Sequence, residues 1–466
     1  MTDRAAQREA DARALSRFGY AQQLLRDLGA FSNFALSFSI ISILTGAVTL
    51  YAHGLRYGGP LEMTLGWPLV ALCTVPVAAS LAELASAYPT AGALYHWSAL
   101  LGGRGWGFVT AWLNTLGQFA ITAGIDYGLA EFLVPMLGLP EERAVKVAVY
   151  AALLASHALA NHVGVRLVAV LNWLSAWYHV AVVALLVGAL GALAPRHDLG
   201  FLWTRATVAP SYGYGFAVGL LQAGWTFTGY DASAHVTEET IDPTRNAPRG
   251  IMASVIVSGV AGWVMLLVVT LAIGDLGAAT AADNPFIDVL LRALGGGLGG
   301  ALVWMVLGAM WFCGLASVTS NSRMLFAFAR DGGLPGSRFV ARVSPRFRSP
   351  HVAVWVSATA ALAVALWAEA YTVMTALSTI ALYASYGMPI AAGLVARRRR
   401  LRGPWHLGRW STLVNVVALA WIATLTVLFV LPPNQLAGAT FAGCVAALVV
   451  YWLTWMRRRF VGPRLD

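Results

Sequence analysis

The stretch "GWTFTGYDASAHVTEE", residues 224–239, decides the fold. It sits in an apolar run yet places Thr226, Thr228, Gly229, Tyr230 and Asp231 at the run's middle. Inside a bilayer every backbone amide needs a partner, so a helix can break only where protein buries the break or a wet cavity lines it. A second run, "FSNFALSFSIISILTGAVTLY" from residue 31, carries Ser42, Thr45 and Gly46 at its centre, with β-branched neighbours that weaken helix further. Both runs hold a central Thr-Gly and read as broken membrane helices.

The rest of the chain supports a membrane setting. Of 466 residues 58% are hydrophobic and only 11% charged, whereas a soluble domain carries about a quarter charged residues. Apolar runs of about 20 residues, enough to cross a hydrocarbon core, recur along the whole length. They predict an all-α integral membrane protein of twelve spans, centred near residues 41, 72, 118, 151, 180, 225, 262, 311, 358, 383, 420 and 447. No sizeable soluble domain is left over. Cys73, Cys313 and Cys444 stand singly in apolar stretches, so neither disulfides nor a metal site is expected. No cofactor is implied.

The first 30 residues are charged and lack an apolar core, which excludes a cleavable signal peptide. With this arm inside, Arg56, Arg143, Lys146, Arg196, Arg205 and Arg292 fall outside, leaving 25 of the 31 basic residues inside. That asymmetry predicts a multi-pass protein of the cell membrane with both termini cytoplasmic. "RVSPRFRSP", "RRRRLRGP", "RRRF" and the arm supply most of the excess. The net charge of +10 therefore suits contact with anionic lipid and calls for no nucleic acid.

The two broken spans are the first and the sixth, which makes each the first member of a five-helix unit. An odd number of spans per unit inverts the second against the first. The expected organisation is an arm over residues 1–30, a first repeat over 31–200, an inverted repeat over 201–400, and two extra helices with a basic tail over 401–466. Half-helix ends meeting at mid-membrane offer N–H groups to an anion and C=O groups to a cation, a site suited to a zwitterion. The other reading is a plain glycine kink where helices cross.

Three stretches carry a family resemblance. "AYPTAGALYHWSALLGGRGWGFVTAW", residues 87–112, resembles the connection after the second helix in amino acid, polyamine and organocation permeases. "GWTFTGYDASAHVTEETIDPTRNAPRGI" is similar to their sixth helix and following loop, and with "SFSIISILTG" most resembles the amino acid and choline transporter branch. The resemblance implies a LeuT-like five-plus-five inverted repeat, two further helices and alternating access around a central site. It implies that Thr45 and Gly46 hold the substrate carboxylate, with Ser42 and Ile43 beside them and Leu44 where the family has a further glycine. It makes Trp225 the gating aromatic over bound substrate, with Phe227, Thr228 and Gly229 next to it, and Asp231 a proton-sensitive gating acid. An aromatic face also holds an ammonium by cation–π attraction, worth about 2 kcal/mol when desolvated; plain core packing is the other reading of Trp225.

Further polar residues lie at membrane depth. Asn114, Gln118, Thr122 and Asp126 recur every four residues in the third span and form one stripe. Such a stripe faces a wet path or bonds helices together; Asp126 favours the path. His179, midway along the fifth span, can load and release a proton in the physiological range, or serves as a hydrogen-bonded packing residue. Lys146 is the only lysine, so a lysine on the fifth span, which in proton-coupled relatives stands in for sodium, is absent. Ser317, Thr319 and Ser320 in the eighth span offer hydroxyls to a sodium ion or bond back to their own helix. "GGGLGG", residues 295–300, has nucleotide-loop spacing, but no strand precedes it, and it reads as a flexible connection.

These features predict a secondary transporter of an amino acid or related amine such as GABA, driven by protons, with sodium left open. A substrate exchanger and a choline-type cation carrier are the alternatives. A membrane enzyme would need an acidic or histidine cluster at one membrane surface; "TEETIDPTRN" is instead read as a loop beside a helix end.

Overall fold

A computed structural model describes residues 2–367, 371–396 and 401–463. The arginines 397–400 of the basic "RRRRLRGP" motif lie outside the described residues. Among the described residues nine helices are long and apolar enough to cross a membrane. The others needed for twelve crossings are the shorter ninth span, His351–Trp367, and the two broken ones.

The first span runs as Ala30–Ile40, then Gly46–Thr49 and Tyr51–Gly58. The sixth runs as Tyr212–Gly219, Leu221–Thr226 and the single turn Ala232–His235. Both breaks fall where the Thr-Gly pairs predict them. Between them stand Trp67–Ala87, Arg104–Met136, Arg143–Val163 and Val165–Leu193. After them come Pro243–Leu271, Gly300–Arg330, His351–Trp367, Tyr371–Val395, Ser411–Val430 and Gln435–Thr454, the seventh to twelfth spans. The glycine run 295–299 forms a π-helical turn leading into the eighth span.

Burial sorts the spans by role. The third, eighth and tenth spans are two-thirds or more buried within the protein, whereas the fifth, eleventh and twelfth expose most of their surface. That outer surface is apolar, with Trp173, Trp177, Val180, Leu413, Val427, Val450 and Leu453 exposed. Water would oppose such a surface and lipid accepts it. The polar residues are inside: Asn114, Gln118, Thr122, Asp126, His179 and Asp231 are all buried. The face carrying the N-terminal arm is called here the arm face, and the opposite one the far face.

Candidate functional site

The two breaks touch each other at mid-depth. A Cβ on Gly46 would lie 2.3 Å from Thr226 Oγ1, so only a glycine lets the first span approach the sixth this closely. Gly229 holds φ at +82°, and a Cβ there would lie 2.2 Å from Ile40 Cγ2. Each break therefore seats its glycine against the other broken helix.

Breaking a helix frees amides and carbonyls, and their destinations define the site. In the first break the N–H groups of Thr45 and Gly46 both donate to the Ser42 carbonyl at 2.9 Å. The Ser42 N–H faces the Cys313 thiol, and among the described residues no acceptor meets the N–H groups of Ile43 and Leu44. Gly46 is needed for close approach to Thr226, and the amides left without an acceptor directly precede the Thr45–Gly46 pair. In the sixth break the tenth span supplies partners: Tyr383 donates its hydroxyl to the Phe227 carbonyl at 3.0 Å. Gly229 N–H donates to the Tyr386 hydroxyl at 3.0 Å, and that hydroxyl donates to Asp231 Oδ1 at 2.8 Å. Ser37 of the first span covers the Tyr230 carbonyl.

His179 lies against the first break. Its Nδ1 is 2.8 Å from the Ser175 carbonyl, which can only accept, so Nδ1 carries the hydrogen and Nε2 faces Ser42 Oγ at 2.8 Å. Thr45 donates its hydroxyl to Ser42 at 2.9 Å. A hydroxyl chain thus runs from Thr45 through Ser42 to an imidazole nitrogen that can accept a proton. Cys313 of the eighth span closes the same region, its thiol 3.4 Å from the Ile40 carbonyl.

Two buried aspartates each take a histidine. His235 Nε2 lies 3.0 Å from Asp231 Oδ2, and His157 Nδ1 lies 3.1 Å from Asp126 Oδ2. Asp126 Oδ1 and His157 Nε2 have no further hydrogen-bond partner among the described residues.

A cavity of about 800 Å³ opens on the far face, lined among others by His53, Arg56, Glu131, Lys146 and Asp283. It descends to Thr49, Gly128 and Tyr371. The Tyr371 ring stands edge-on to Trp225, 6.1 Å away, and Trp225 is buried with its indole N–H on Ser378 Oγ at 3.0 Å. Tyr371 thus joins the cavity lining to Trp225, the residue before Thr226.

The arm face is sealed. Arg323 makes a two-pronged ion pair with Glu239 at 3.1 and 3.2 Å, both fully buried. Arg330 pairs with Glu238 at 2.8 and 3.0 Å and lies over the Tyr20 ring. Asp331 accepts from Tyr20 at 2.7 Å and Tyr95 at 2.8 Å, with His96 Nε2 at 3.1 Å. Arg26 donates to the carbonyls of Thr237 and Thr240. Main-chain bonds from Asp27 and Leu28 to Glu239, and from Ile241 to Leu28, stitch the arm to this loop. Open on one face and shut on the other is the geometry of one state of an alternating carrier.

A family model described as amino acid permease matches residues 28–455. The chain belongs to the amino acid permease family. The permease is 37% identical over 492 residues to "Amino-acid permease BAT1" of Arabidopsis thaliana, covering 96% of this chain and 95% of that protein. It is 36% identical to the "Amino-acid permease BAT1 homolog" of Oryza sativa subsp. japonica, over 96% of this chain and 94% of that one. Similarity extends to a "GABA-specific permease" of Saccharomyces cerevisiae, 27% identical over 91% of this chain and 79% of that one. The protein is thus a multi-pass transporter of amino acids and not an enzyme.

Not every expected site residue reaches the breaks. The Phe227 ring packs on Trp67 at 5.0 Å, directed toward the second span and not beside Trp225, because the helix ends at Thr226 and the chain changes direction. Gln118 reaches Ser320 at 3.4 Å and Thr122 reaches Ser317 at 2.7 Å, bonds that tie the third span to the eighth. Thr319 bonds its own helix at Leu315, and its hydroxyl also donates to Asn161 at 2.8 Å. Thr228 donates back to the Trp225 carbonyl at 2.6 Å. Ser42, Ile43, Thr45, Gly46, Gly229, Asp231 and His179 do gather around the breaks. Tyr386 and the Glu238 and Glu239 ion pairs escaped the sequence reading, in which His157 and His235 carry weaker cases for proton coupling than His179. For His235 a signal existed, since it follows Asp231 by four residues on one helical turn.

Proposed function

We propose that the permease takes up an amino acid or close amine relative such as GABA by proton symport, with the arm face cytoplasmic. The observation that carries this reading is the pair of N–H groups at Ile43 and Leu44, without an acceptor among the described residues, beside the Ser42–His179 hydrogen bond. A substrate carboxylate accepts from these amides, as anions do at helix N-termini. A proton on His179 Nε2 adds positive charge one hydroxyl away, so proton and carboxylate bind more tightly together than apart. Trp225 covers the bound substrate from the vestibule side, and Asp231, held by Tyr386 and His235, links the sixth break to the closing of the arm face. The inverted repeats of residues 31–200 and 201–400 rock around this point, with residues 401–466 outside the moving core.

Uptake into liposomes under an imposed pH gradient, acid outside, tests the reading with labelled GABA, neutral and basic amino acids and choline. Sodium-free accumulation of an amino acid that collapses with a protonophore is the expected result. Entry only against preloaded substrate would make the permease an exchanger, and choline accumulation would remove the carboxylate from the site.

A further inference from the structure

Glu62 begins a π-helical turn, Glu62–Gly66, just ahead of the second span. Its side chain is 2% exposed, and Oε2 has no hydrogen-bond partner among the described residues. Glycine backbone surrounds it instead. A Cβ on Gly58 would lie 2.3 Å from Oε2, one on Gly66 2.1 Å from Oε1, and one on Gly219 2.8 Å from Oε2. Gly58 ends the far half of the first span, and Gly219 ends the first helix of the sixth. The carboxyl therefore sits as a wedge where the far halves of both broken spans meet the second.

The polar groups of every neighbouring element are engaged elsewhere. On the sixth span Tyr212 donates to the Gly58 carbonyl at 2.9 Å, with Arg205 over its ring. On the first, His53 Nε2 donates to the Val218 carbonyl at 3.0 Å, its ring 4.8 Å from Tyr57, and Arg56 donates to Thr280 and Ala282 carbonyls. From the seventh, Trp263 donates to the Thr64 carbonyl, and from the segment Leu199–Trp203 the Leu202 carbonyl accepts from the Thr64 hydroxyl. None of these provides a donor or a positive charge on the Glu62 carboxyl.

An ionised carboxylate buried without a donor costs several kcal/mol, so this packing favours the protonated acid. Ionisation would draw water to the wedge and part the elements around it. We propose that Glu62 is a proton-binding site, its ligand the proton itself, occupied when the far halves of the first and sixth spans pack on the second and vacated as they separate. His53, Arg56 and Tyr57 line the vestibule within two turns of Gly58, which places a water route beside the site. The inference rests on proton-coupled uptake and adds to it a second titrating group, at the far gate.

The test places a cysteine at Thr49, a half-buried vestibule residue, and follows its labelling by a maleimide in nanodiscs between about pH 5 and 8. The same protein without that cysteine gives the background from the native thiols. With Glu62 intact, labelling taken relative to a free thiol at the same pH, which removes the thiol's own ionisation, should rise with pH as the wedge ionises. Glu62→Gln should lose this pH response while keeping substrate counterflow, and Glu62→Leu provides a second neutral background should the first not fold. A pH response that survives in a folded neutral variant, or is absent with Glu62 in place, overturns the assignment. Should the liposome assay show no proton-driven uptake while the Glu62-dependent response persists, the symport reading falls and the proton site stands.

Discussion

Gly229 and His179 show how much a single position carries. An alanine at 229 must adopt left-handed backbone and push Ile40 aside. Gly229→Ala is expected to destabilise the fold by roughly 2–4 kcal/mol, read as a lower melting temperature in detergent. In the symport proposed above His179 takes the proton at the first break, so His179→Gln is expected to flatten the pH dependence of uptake. In the unaltered protein uptake should fall as pH rises and the imidazole loses its proton. Residue chemistry was legible where rare residue types sit at membrane depth, as with His179, Asp126 and Asp231. Direction was not: Trp225 and Phe227 are two apart, yet the helix stops between them and sends one ring to Tyr371 and the other to Trp67. The Asp126–His157 pair joins residues 31 apart on adjacent spans, and no local period announces it.

At the scale of elements, each broken helix is completed by its neighbours. Tyr386 of the tenth span takes the N–H that the sixth loses at Gly229 and passes a hydrogen to Asp231. Tyr386→Phe strands both buried groups and should cost roughly 2–4 kcal/mol, visible as a lower melting temperature. The breaks themselves could be read from the Thr-Gly pairs, because β-branched residues and glycine weaken helix wherever they stand. Their partners could not, because a tyrosine's use depends on how two distant spans are turned toward each other. The same limit explains the polar stripe of the third span. Its period showed one face, and only packing shows that Asn114, Gln118 and Thr122 bond to the tenth and eighth spans.

Across the whole molecule the arm face is shut by buried ion pairs between the loop after the sixth span and the end of the eighth. Burial alone would raise the Glu238 carboxyl, but the Arg330 guanidinium outweighs it and holds the group below the usual carboxylate range. Asp331 is likewise lowered despite burial, through His96 and Arg330. A lowered folded value means that their contribution is present above the ordinary carboxylate pKa and lost as pH falls through the lowered one. Acidifying the arm side below about pH 4 should therefore loosen this seal. Faster labelling of a cysteine placed at buried Thr237, with the far vestibule unchanged, would report it. Glu239→Gln leaves Arg323 without its counter-charge and should produce the same loosening at neutral pH.

The seal also has an order of assembly. Leu28 is made early, but the residues that bind it, Glu239 and Ile241, follow only after the first six spans. At a synthesis rate of about 5–20 residues per second, the arm waits on the order of 10–40 s for its partners. Through that interval the growing chain has no stitched lid. Stitching of the arm thus waits for the loop after the sixth span, and the ion pairs of the arm face wait for the end of the eighth.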